Sequence, residues 1–348
     1  MRAVLAFLGY AALSTLWSAT VAWDEVLRGV VKCLAIMFFL LSVIFYGRRA
    51  SGLVGPAIVL GATANCVVSL ALFVSSGRQL FLDRLDGIGM KAIAISTAAS
   101  YALAILIVYR SRLLTNGVAR GVLCSVLLAG MILSMSRGPL WALAAAIGIG
   151  VAPQRRKRVL WTIVASLLCV AAASFSMNRL GKFYDLMLRP SGRIAIWREA
   201  DTKLAANDLR LFFGFGLGDE TIYTLPGYNA GSPPLVFKDM AHNAYLSNLT
   251  KTGLIGSCLL LSVVVNALRL AHKSRRSRPL LLAWLVFALG SMLTDYQIIK
   301  SFGFEYVLFW LPIAWLCLFE INDKDRCRHS AAHELAEPTI RAEGRDLC

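Results

Sequence analysis

The residues with the clearest chemical promise stand in the pattern His242-Asn243, nine residues, then Gly253-Leu254-Ile255-Gly256, where a long polar loop runs back into an apolar helix. Histidine takes up a proton near neutral pH, so His242 is a candidate general base. Two arginines fall on the same side of the membrane by topology: Arg137 in Ser136-Arg137-Gly138-Pro139, and Arg193 in Gly192-Arg193-Ile194. A guanidinium grips phosphate oxygens in bidentate fashion, as an ammonium does not. A base beside cations at a bilayer edge is equipment for chemistry on a lipid-linked phosphate. Arg189, Arg198, Arg210 and Lys238 are further cations on that side, of which Arg189, Arg210 and Lys238 join Asn243 and Trp197 as candidate substrate contacts.

Each residue has a quieter reading. Arg137 is also suited to capping a short turn, and Arg193 to snorkelling toward headgroups. His242 fits an interfacial histidine, and Asn243 fits the cap of the following helix or the orienter of the imidazole. Gly253 and Gly256 fit close helix packing. Phe213-Gly214-Phe215-Gly216-Leu217-Gly218 looks like a dinucleotide loop only superficially, because no strand–helix unit surrounds it; it reads as a tight, adaptable turn near the site. Asp219 and Glu220 are adjacent and Asp239 lies near His242, but they form no ligand set, so neither metal nor cofactor is expected.

Composition sets the frame that must hold these residues. The 348 residues are 57% hydrophobic and only 16% charged, with mean hydropathy +0.64; a soluble domain carries about 25% charged residues. Repeated apolar runs of roughly 20 residues mean an all-α polytopic membrane protein, and the alternating segments of a β-barrel are missing. The net charge of +16 lies largely in short loops, where it sets topology and does not point to nucleic acid. The eight cysteines fall mostly inside apolar runs, with no CxxC pair, which excludes a disulfide framework or zinc site.

The length rule predicts about ten spans: 2–23, 29–47, 53–75, 91–109, 119–135, 139–152, 158–177, 243–271, 279–297 and 302–319. Arg2 and Thr20-Val21-Ala22 faintly resemble a signal peptide, but the first segment reads better as a membrane helix. Basic residues gather in every second loop, at Arg48-Arg49, at Arg110, Arg112 and Arg120, at Arg155 to Arg158, and at Lys273 to Arg278. That alternation predicts cytoplasmic termini. The organisation expected is then an N-terminal membrane region of about seven helices (1–177), an outward loop carrying the site (178–242), about three C-terminal helices (243–319), and a cytoplasmic tail (320–348). Within the loop, Ile194, Trp197 and Leu204 fall near helical spacing, predicting an amphipathic helix from residue 192 to Leu209 on the membrane, with Trp197 at headgroup level.

These features resemble the O-antigen ligase / O-antigen polymerase superfamily. The resemblance runs from Ser136 to Gly256. It is carried by His242-Asn243-x9-Gly253-x2-Gly256, by Ser191-Gly192-Arg193-Ile194-Ala195-Ile196-Trp197, by Gly214-Phe215-Gly216-Leu217-Gly218 and by Ser136-Arg137-Gly138. It implies a metal-independent, inverting glycosyltransferase of the bacterial inner membrane, with its active site facing the periplasm. The donor implied is a glycan on undecaprenyl pyrophosphate, and the acceptor lipid A–core or a growing glycan. It further implies that His242, Arg193 and Arg137 are catalytic. A ligase is favoured over a polymerase because the histidine motif fits in full. A lipid-linked oligosaccharide flippase is the alternative of another class, but Asn65 and Asn266 are too few to make a polar path across the spans.

Overall fold

The structure, a computed structural model, describes residues 1–18, 23–77, 85, 92–108, 116–134, 136–151, 193–217, 222–225, 235–238, 243–274, 279–293, 298–299 and 307–321. Helix α1 (Arg2–Leu13) passes into a 3-10 turn (Ser14–Trp17) and is followed by α2 (Trp23–Ser75), α3 (Ala92–Val108), α4 (Gly117–Leu133) and α5 (Arg137–Val151). Next come α6 (Arg193–Ala205), α7 (Asp208–Phe213), the strands β1 (Ile222–Leu225) and β2 (Leu235–Lys238), α8 (Ala244–Lys273) and α9 (Pro279–Met292). Helix α10 covers Val307–Ile321.

Three segments are long and apolar enough to cross a bilayer, Val26–Gly47, Gly52–Ser75 and Ala244–Lys273, and α1, α3, α4, α5, α9 and α10 are shorter apolar helices. The chain is a helical membrane protein. Leu27, Val31, Leu34, Phe38, Phe45, Leu53 and Leu60 lie exposed along α2, and Trp141 on α5. Apolar surface of that extent belongs against lipid.

The structure departs from the predicted elements in four places. The spans expected at 29–47 and 53–75 belong to one uninterrupted helical backbone, α2, with no loop between them. Pro56 stands four residues beyond Gly52, inside the helix. The helical architecture expected holds, and the structure adds one short antiparallel ribbon that was not expected, in which Ile222 pairs with Lys238 and Leu225 with Leu235. The loop helix ends at Ala205, and a second helix starts at Asp208, because Asn207 Oδ1 accepts the amide of Leu209 at 2.9 Å and so caps a new start. Finally, α8 is broken at Gly253. The expected span 158–177, the basic residues 110, 112, 155–158 and 275–278, and residues 322–348 of the tail lie outside the described residues.

Helices in lipid gain little from burying apolar surface against one another, so close packing and small residues decide their contacts. Gly290 of α9 lies so near α5 that a Cβ there would stand 3.1 Å from Ala142 Cβ. Aromatic stacking fills the remaining space: Trp284 stacks on Tyr101 at 5.1 Å and on Trp315 at 5.0 Å, and Phe7 on Trp310 at 6.3 Å. These rings tie α1, α3, α9 and α10 into one core.

Candidate active site

The site-bearing segments are best followed through the backbone groups that fix them. Helix α4 ends in a capping serine, Ser134, whose hydroxyl donates to the Met131 carbonyl at 2.7 Å. Ser136, also buried, donates to the Ser134 carbonyl at 3.3 Å. Helix α5 then begins at Arg137, with Pro139 in its first turn as the sequence leads one to expect. The backbone thus sets Arg137 at the very start of a helix pinned against α9 through Ala142.

Helix α6 begins at Arg193. Its apolar stripe is covered by protein: Ile196 and Ala200 are buried and packed with Trp197 and with Leu246 of α8, and Leu204 is buried too. This corrects the picture of a helix lying free on the membrane. The face toward α8 is that of Ile196 and Ala200, and of the residues predicted for the stripe Trp197 stands half-buried in that contact and Leu204 is buried. Leu246 lies one turn after Asn243, and Ile196 one turn after Arg193, so this contact joins the Arg193 helix to the start of α8.

Asn243 is the cap of α8: its Oδ1 accepts the amides of Tyr245 at 3.0 Å and Leu246 at 3.1 Å. That leaves the capping reading in place, and the side-chain oxygen is committed to backbone. Tyr245 reaches the other way, its hydroxyl donating to the Leu289 carbonyl of α9 at 3.0 Å.

Gly253 has φ 65 and ψ −167, a conformation that a side chain disfavours, and the α8 ladder fails there. A break frees carbonyls that membrane depth does not let go unpaired. Each of the three before the break has a donor from elsewhere in the chain. The Phe215 amide bonds the Thr250 carbonyl at 2.8 Å, the Gly216 amide bonds the Lys251 carbonyl at 2.9 Å, and the Tyr10 hydroxyl bonds the Thr252 carbonyl at 3.2 Å. The Gly-rich turn is therefore docked on the break. Gly214 (φ 74) and Gly216 (φ 94) supply the left-handed backbone that the turn needs. Trp17 Nε1 holds the turn from the α1 side by donating to the Phe213 carbonyl at 3.1 Å. Gly256 packs against Tyr10, where a Cβ would come 3.0 Å from Cε1. Close packing describes Gly256, whereas Gly253 is chiefly the break.

Arg210 lies over the Phe215 ring, 5.1 Å from its centroid, at the edge of the turn. Lys238 ends β2, four residues before His242. His242 and Arg189 lie outside the described residues. The arrangement gathers the starts of α5, α6 and α8 at one end of the bundle, through Ala142–Gly290, Ile196–Leu246 and Tyr245–Leu289. Sequence reasoning missed Tyr10, Trp17, Tyr245 and Lys251. Lys251 is a buried cation two residues before the break. The hydrogen-bond acceptors of the three aromatics lie 242, 196 and 44 residues away, and no local pattern announces contacts of that range.

A membrane-embedded helical bundle with a polar loop docked on a broken helix is the class that this fold and site define. Residues 122–261 match the family model described as O-Antigen ligase. The matched segment contains Arg137, Arg193, the Gly-rich turn and the full histidine motif, and it bears out the resemblance to the O-antigen ligase / O-antigen polymerase superfamily. No curated protein matches the chain.

Proposed function

We propose that the protein is an O-antigen ligase-type glycosyltransferase, moving a glycan from undecaprenyl pyrophosphate to a sugar hydroxyl of lipid A–core at the periplasmic face of the inner membrane. The observation that carries this reading is the O-antigen ligase family match over residues 122–261, which spans Arg137, Arg193 and His242 together. The packing of α6 and α9 against the first turn of α8 supports a common location for the three.

In this mechanism His242 takes the proton from the acceptor hydroxyl, a contribution of about 10²–10⁴-fold. The acceptor oxygen attacks the anomeric carbon from the face opposite the leaving group, so one glycosidic bond forms as the bond to the pyrophosphate breaks. Arg137 and Arg193 neutralise the charge that develops on the departing pyrophosphate. Placed electrostatics of this kind is worth roughly 3–4 kcal/mol per donor. Arg210, Lys238, Arg189, Trp197 and Asn243 are assigned to donor and loop positioning. No metal is needed where two guanidinium groups carry the countercharge, and the carrier's lipid tail lies among the helices. The basic clusters of the sequence at Arg155 to Arg158 and Lys273 to Arg278 support the outward orientation.

A polymerase of the same superfamily shares every one of these features and differs in its acceptor. A lipopolysaccharide gel from the native host tests both, comparing wild type with a deletion rescued by His242→Ala. Bare core, with polymer left on the carrier, identifies a ligase. Core bearing a single repeat identifies a polymerase. An unchanged ladder at normal expression removes both roles.

A further inference from the structure

Tyr245 occupies an unusual junction. It lies three residues after His242, in the first turn of α8, and its hydroxyl donates to the Leu289 carbonyl at 3.0 Å across 44 residues. Helix α9 ends at Met292, so Leu289 contributes one of the four terminal carbonyls that a helix leaves without an internal partner. The amide that might have reached it, that of Leu293, bonds Gly290 instead. The next residue, Gly290, is where α9 meets Ala142 of α5, one and a half turns from Arg137. Leu246, the neighbour of Tyr245, packs on Ile196 and Ala200 of the Arg193 helix. One dipeptide of α8 thus touches the Arg193 helix directly and, through the end of α9, is linked to the helix that begins with Arg137.

We propose that Tyr245 is a positioning residue for the transfer reaction: its hydroxyl, anchored on the end of α9, fixes the spacing between the start of α8, which follows His242 in the sequence, and the Arg137 end of α5. The inference rests on the function proposed above. A base and a leaving-group cation act on one substrate at once, and a misplacement of about 1 Å between such groups costs up to about 10²-fold in rate.

The test uses the full-length protein in lipid with a lipid-linked glycan donor. Tyr245→Phe keeps the ring and removes the anchor; kcat falls about tenfold while the donor KM stays within about twofold. Tyr10→Phe is the matched comparison, because it removes an equivalent hydroxyl-to-carbonyl bond on the far side of the α8 break; its kcat stays within about twofold at a similar loss of thermal stability. In a double-mutant cycle, Tyr245→Phe adds less than about threefold to the defect of Arg137→Gln, since spacing to an absent cation no longer matters. Tyr245→4-aminophenylalanine, which keeps a donor, retains the rate, and the isosteric Tyr245→4-methylphenylalanine loses it. That pair decides the matter should Tyr245→Phe not fold. Wild-type kcat in Tyr245→Phe, full additivity with Arg137→Gln, or an equal loss in Tyr10→Phe overturns the proposal while leaving the ligase reading intact. Undiminished transfer in Arg137→Gln and His242→Ala overturns the ligase reading itself.

Discussion

Gly214 and Gly253 meet backbone to backbone. A Cβ on Gly214 would collide with the Lys251 carbonyl and stand 2.6 Å from the Gly253 nitrogen; one on Gly253 would collide with the Phe212 carbonyl and stand 2.5 Å from the Gly214 nitrogen. The two glycines, 39 positions apart in the sequence, form one reciprocal contact. Each also has positive φ. A side chain at either position faces a steric and a conformational barrier together.

Gly214→Ala and Gly253→Ala are accordingly expected to destabilise the protein by about 2–5 kcal/mol, combining left-handed strain of about 1–2 kcal/mol with overpacking of about 1–3 kcal/mol. Gly121→Ala serves as the comparison, because a Cβ there meets nothing within 4 Å; it is neutral or stabilising by up to about 1 kcal/mol. Thermal unfolding in detergent measures all three, and equal melting temperatures would falsify the reciprocal contact.

Asn243 caps α8 through two amides. Asn243→Ala costs about 1 kcal/mol of stability, whereas Asn243→Asp and Asn243→Ser keep most of it, since both side chains cap. If Asn243 acts only as the cap, transfer rates follow the same order. A variant that holds its melting temperature but loses transfer would instead point to contact with the imidazole or the substrate.

Ile196 is the buried centre of the α6–α8 contact. Ile196→Ala removes about 2–4 kcal/mol of packing, and Ile196→Val about 1 kcal/mol. Hydrogen exchange read over residues 193–205 rises in the first variant and hardly in the second, and transfer falls in parallel. Faster exchange with undiminished transfer would separate α6 from the chemistry.

The proposed base sets a direction for pH. Neutral imidazole accepts the proton and imidazolium does not, so kcat/KM falls as the imidazole becomes protonated at lower pH. In His242→Ala the residual rate, about 10²–10⁴-fold lower, loses that limb. An acid limb that survives unchanged in His242→Ala assigns the titration to another group.

Much of the scaffold was legible in the sequence because its signals are local. The apolar runs marked helices, three of them among the described residues long enough to cross a membrane, Asn243 and the apolar stretch after it marked a capped helix, and Pro139 marked the start of α5. Trp197 and Leu204 fell on a helix as their spacing predicted, but which face is covered is a tertiary matter: Ile196 and Ala200 pack against Leu246 where lipid was expected. The break at Gly253 was hidden because Leu254 to Lys273 continue the apolar pattern without interruption. A glycine inside such a run reads as a packing residue until a second chain segment supplies donors for the freed carbonyls. Those donors sit at Phe215, Gly216 and Tyr10, and only the fold brings them to the break. The strands at Ile222–Leu225 and Leu235–Lys238 are four residues each, too short for alternation to distinguish them from loop.

The donors at the α8 break also impose an order on biogenesis. Tyr10 and Trp17 leave the ribosome long before their acceptors, the carbonyls of Thr252 and Phe213, which are 242 and 196 residues later. Until those segments are made, the Tyr10 hydroxyl and the Trp17 indole cannot form these two bonds. Helix α1 and the turn after it thus form a clasp that cannot close until a segment made 196 residues later has arrived.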